Sequence, residues 1–112
     1  MDKFTETRQA LGRHIYALMK QCNTSGSVEC NGYRFFARGE GGADQNYIYT
    51  MGWEKVPSRY GMMAIRRHAS GRLEDAVSEA TTQADLDECL RLMPVAEAYM
   101  LAEQKKFDST DV

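Results

Sequence analysis

Two runs of strand character, Val28 to Cys30 and Tyr33 to Phe36, stand on either side of Asn31-Gly32. Asn-Gly most readily supplies two consecutive positive φ angles, so this pattern predicts a two-residue β-hairpin with a type I′ turn. Cys30 then faces Tyr33. The side-chain period of two places Tyr33, Phe35 and Ala37 on one face and Arg34, Phe36 and Arg38 on the other.

Before the hairpin, Phe4, Leu11, Ile15, Leu18, Met19 and Cys22 recur at steps of three and four, which predicts an amphipathic helix from Lys3 to Cys22. Gly12 inside it marks a close approach of helix to sheet, and Asn23 to Gly26 reads as its end, with Gly26 as a C-terminal cap. After the hairpin, Gly39 to Gln45 reads as a connection between strands. Tyr47, Tyr49, Met51 and Trp53 then alternate with Ile48, Thr50 and Gly52 as a third strand. Pro57-Ser58 interrupts the chain. Arg59 to Ala69 fits a fourth strand or a short helix, and the strand is preferred.

From Arg72 onward the spacing reads as helical. Leu73, Ala76, Val77 and Ala80 suggest a short amphipathic element, and Thr82 followed by Asp85 resembles a capping box. Leu86, Cys89, Leu90 and Met93 form the next buried stripe. Pro94 predicts a kink or a restart before Val95, Ala98, Tyr99 and Ala102 carry the pattern to Lys105 and Lys106. These elements give an α+β fold: an N-terminal helix, an antiparallel β-meander of three or four strands, and C-terminal helices packed on one face. Residues 1–107 are expected to form one domain, with 108–112 as a flexible tail.

Charge changes this picture more than composition does. The net charge is only −2 over 112 residues, but 1–54 are balanced, 55–72 hold five bases and no acid, and 73–112 hold three bases and ten acids. Such asymmetry points to electrostatic partners. No apolar run approaches membrane-spanning length and the first residues lack a leader-like apolar stretch, so a cytoplasmic location is expected. Three cysteines without CxxC spacing suit reduced thiols better than a disulfide framework or a zinc ribbon.

Candidate chemistry is sparse. His14 and Cys22 lie about 12 Å apart along one helix and cannot act together. His68 could meet Cys30 or Cys89 only across the fold, and no nucleophile motif surrounds them. Neither a metal site nor a cofactor is expected. The residues singled out are Asp85, Asp87 and Glu88, as an acidic surface for a protein partner, and Arg34, Phe36, Arg38, Arg66 and Arg67, as an Arg/aromatic sheet surface, with Trp53 as an aromatic anchor.

The expected function is a small non-enzymatic interaction module that regulates or inhibits a larger nucleic-acid-handling complex, as virus- or mobile-element-borne inhibitors such as anti-CRISPRs do. One alternative is a single-stranded nucleic-acid-binding domain using the arginine surface. A second is a ligand binder or enzyme with a pocket between sheet and helices.

Overall fold

Asn31 and Gly32 take φ angles of 52° and 86°, the two positive values that a type I′ turn requires. In this computed structural model, which describes residues 2–39, 47–57 and 63–109, the turn joins β1 (Gly26–Cys30) to β2 (Tyr33–Gly39). Cys30 pairs with Tyr33, as the hairpin predicts. The chain continues through β3 (Tyr47–Lys55), β4 (Met63–His68) and β5 (Leu73–Val77), all antiparallel and in sheet order β1-β2-β3-β4-β5. The expected link over Gly39 to Gln45 lies outside the described residues apart from Gly39, which ends β2. Residues 58–62 and 110–112 lie outside them as well.

Two helices complete the fold, α1 (Lys3–Met19) and α2 (Gln83–Ser109). Asp2 caps α1 by accepting the Thr5 N–H at 2.8 Å. Both helices lie on the same side of the sheet. Their buried stripes, Leu11, Ile15 and Met19 on α1 and Leu86, Cys89, Met93 and Met100 on α2, share one core with Phe35, Tyr49, Met51, Trp53, Met63 and Ile65. The helices run side by side in the same direction, since Lys3 reaches Asp87, His14 reaches Glu97 and Asn23 reaches Gln104.

The α+β architecture matches the expectation, and four details differ. First, residues 73–77 are a fifth strand. Their spacing fits a helix, but alternation fits equally: Leu73, Asp75 and Val77 face the helices while Glu74 and Ala76 face away, and the Met63↔Val77 to Arg67↔Leu73 ladder occupies the open edge of β4. A turn at Gly71, with φ of 91°, closes the hairpin.

Second, the C-terminal region is one helix, not several. It passes through Pro94, which lies on the exposed side, where water can serve the carbonyl that the ring leaves without a donor. It also runs to Ser109, two residues into the segment expected to be a tail.

Third, α1 stops at Met19, and Gly26 opens β1 instead of capping the helix. A Cβ at Gly26 would lie 3.3 Å from the Tyr99 hydroxyl, so its small size lets α2 close on the edge strand. Fourth, the charged blocks are not segregated. Arg8 pairs with Asp75 and Lys55 with Asp85, so part of the acidic C-terminal stretch is neutralised within the monomer.

Candidate interaction surface

The sheet has a second face that no described helix covers, and its residues follow from the pleat. Three rows cross it. Glu29, Arg34 and Glu54 form the first; Ser27, Phe36, Gly52, Ala64 and Ala76 the second; Arg38, Thr50, Arg66 and Glu74 the third. His68 and Arg72 lie beyond the third row, linked at 2.9 Å, and His68 also meets Glu74 at 2.9 Å.

The first row is closed electrostatically. Arg34 donates to Glu29 and, at 2.9 Å, to Glu54, and Glu29 first and Glu54 second raise the guanidinium pKa further. Phe36, in the middle row, is buried and has the Arg38 guanidinium 5.2 Å from its ring centroid. The other end of the face is basic. Among the described residues, Arg38, Arg66 and Arg72 stand there with Glu74.

Two residues expected at an interaction surface, Arg67 and Trp53, are not on this face. Arg67 faces the helices: it lies 5.0 Å from the Tyr49 ring centroid and donates to the Met19 carbonyl and, at 2.7 Å, to Asn23 Oδ1. Strand alternation separates it from Arg66. Trp53 is in the core, edge-on to Phe35 at 5.2 Å, and its indole N–H has no acceptor among the described residues.

The acidic set also divides. Asp85 is only 3% exposed. Its Oδ1 accepts the Tyr33 hydroxyl at 2.8 Å and lies 3.3 Å from Lys55 Nζ, while its Oδ2 accepts the Thr82 N–H at 2.9 Å. The Thr82 hydroxyl accepts the Asp85 N–H at 3.1 Å, completing the expected capping box. Burial opposes the charge of Asp85, but these donors outweigh it and hold its carboxyl below the usual carboxylate range. Glu88 is held by Arg91 first and by Asn31 of the hairpin turn second, which also lowers its pKa. Asp87 is the exposed member, 3.8 Å from Lys3 and bonded to Gln83.

All three thiols are free and on the helix side of the sheet, whereas His68 is on the opposite side. Burial pushes Cys89 up to about 12, with Asp85 and Glu88 adding to it, and burial raises Cys22 as well. A disulfide reagent at neutral pH is therefore expected to modify Cys30 alone in the native protein, and all three after denaturation. Native titration of two or three thiols would contradict this packing.

The sheet–helix interface is occupied by core side chains. The depressions found lie at the surface, between Asn23–Ser25 and the end of α2, and along α1 beside Glu97 and Leu101. Among the described residues no three His, Cys, Asp or Glu side chains are grouped to hold a metal ion, and no helix is long and apolar enough to cross a membrane. Comparison with protein-family models, curated proteins and solved structures returns no match.

Sequence reasoning found the right strand faces but missed the Tyr33–Asp85–Lys55 cluster. Its members are 22 to 52 positions apart, and no local pattern joins them.

Proposed function

We propose that the protein is a small non-enzymatic interaction module that docks on a protein of a larger nucleic-acid-handling complex and regulates or inhibits it, as inhibitors of the anti-CRISPR kind do. The observation that carries this reading is the basic end of the helix-free face, where Arg38 and Arg66 flank Thr50 in one row and Arg72 stands beyond them. Each guanidinium carries five donors, more than one contact within the chain uses, so a cluster of them favours an anionic partner surface whose carboxylates its planar forks bind in pairs. The acidic side contributes less than its composition suggests, since Asp85 is buried and Glu88 is internally bonded.

Direct binding of single-stranded nucleic acid draws on the same arginines, but among the described residues no accessible ring stands beside them on this face for the stacking that such sites use. Phe36 is buried with Arg38 over it.

The test is affinity capture from the native host with wild type and the double charge reversal R38E/R66E, after nuclease treatment. A specific protein retained by wild type and lost from a variant of unchanged melting temperature is the expected result. Equal retention by both would overturn the assignment to this surface. Retention abolished by nuclease, with salt-sensitive binding to a single-stranded oligonucleotide, would replace the protein partner with nucleic acid.

A further inference from the structure

The middle of α2 is apolar on two opposite sides. Cys89, Leu92, Met93, Ala96 and Met100 face the core, while Pro94, Val95, Ala98, Leu101 and Ala102 face away from it and are exposed. Val95 and Leu101 remain 49% and 40% accessible. The monomer covers only one of these two apolar sides, where an amphipathic surface helix ordinarily turns a polar face to water.

The outer face has a regular order. Positions 87, 91, 94, 98, 101 and 105 recur at alternating steps of four and three, the seam of a two-helix contact. The apolar positions occupy its middle. Asp87 stands at one end and Lys105 at the other, about 27 Å apart along the axis. This surface is complementary to itself when inverted. An antiparallel copy centred near residue 96 sets Asp87 against Lys105, Arg91 against Leu101 and Pro94 against Ala98, and two-fold symmetry repeats each contact. Pro94 and Ala98 carry short side chains, which permit close approach at the centre. Lys105 has no ion-pair partner among the described residues, and the contact of Asp87 with Lys3 is long, at 3.8 Å.

We propose that a second copy of this chain packs its α2 antiparallel on the outer face of the first, forming a two-fold dimer. The dimer leaves both helix-free sheet faces outward, so it goes beyond the docking reading and does not depend on it.

Sedimentation equilibrium of the full chain tests the proposal. Wild type is expected to dimerise with rising concentration, and Ala98→Glu, at an exposed position, to remain monomeric with an unchanged melting temperature. Asp87→Lys and Lys105→Asp should each weaken association about tenfold, because each places like charges together twice, and D87K/K105D should restore it to within about twofold of wild type. A monomer at every concentration up to about 1 mM would overturn the proposal. So would self-association that is indifferent to A98E, or a double variant as weak as the single ones.

Discussion

Gly52→Ala is expected to destabilise the protein by about 3 kcal/mol, although alanine is ordinarily the better strand residue by roughly 0.5–1 kcal/mol. The sign follows from what the added methyl would meet. Gly52 lies in the central strand β3, between Phe36 of β2 and Ala64 of β4. Its Cβ would press on the Met63 carbonyl oxygen and come within 2.7 Å of the Ala64 Cα and 3.0 Å of its Cβ. The first two are backbone atoms, so no rotamer change relieves the overlap, and β3 must move away from β4 or twist differently. Either movement disturbs Met51 and Trp53, which flank Gly52 and are buried on the helix side. Urea unfolding followed by the fluorescence of Trp53, the only tryptophan, measures the effect. Gly26→Ala is the control, since there the closest atom is the end of the Tyr99 side chain, 3.3 Å away. A stability for G52A equal to or above wild type would show that β3 and β4 are not so close at this point.

The contrast between these two glycines illustrates what could be read without coordinates. Asn31-Gly32 is legible because its requirement is local: two adjacent residues with positive φ specify a turn, and the turn specifies Cys30↔Tyr33. The faces of β2 follow from that register by counting alone, which groups Arg34, Phe36 and Arg38, whereas the turn does not reach β4, where alternation sends Arg66 and Arg67 to opposite faces. Leu73 to Val77 reads as helical because Leu73, Ala76 and Val77 fit either period, and the deciding fact, the open edge of β4, belongs to the sheet and not to the segment. The burial of Trp53 and Asp85 was hidden for a related reason. An acidic residue in the first turn of a helix normally faces water, and only the hairpin, bringing Tyr33 beneath that turn, makes it a buried acceptor. The candidate surface therefore loses its acidic centre and Arg67, and keeps Arg38 and Arg66.

Asp85 is expected to give the largest effect of any polar substitution. Asp85→Ala should cost about 3 kcal/mol at pH 7, through loss of the capping box and the stranding of a buried donor. Tyr33 is 9% exposed, and its hydroxyl would lose the acceptor that lies 2.8 Å away. Lys55 would suffer less, because its side chain is half exposed and can turn to water. Asp85→Asn keeps an oxygen for Tyr33 but gives up the charge, so its cost should be roughly 1–2 kcal/mol. Tyr33→Phe removes the stranded donor, and in that background Asp85→Ala should cost less than in wild type. The pH dependence provides a second check. Because the carboxyl titrates lower in the native state than in the unfolded chain, the unfolded state binds the proton first on acidification. The stabilisation is therefore complete above the unfolded value of about 3.9 and is lost as pH falls through the lowered native value. The gap in stability between wild type and D85N should accordingly be widest near neutrality and narrow as pH falls below about 4. A gap that stays constant down to acid pH, or a D85N as stable as wild type at pH 7, would show that Asp85 acts through its shape and not through its charge.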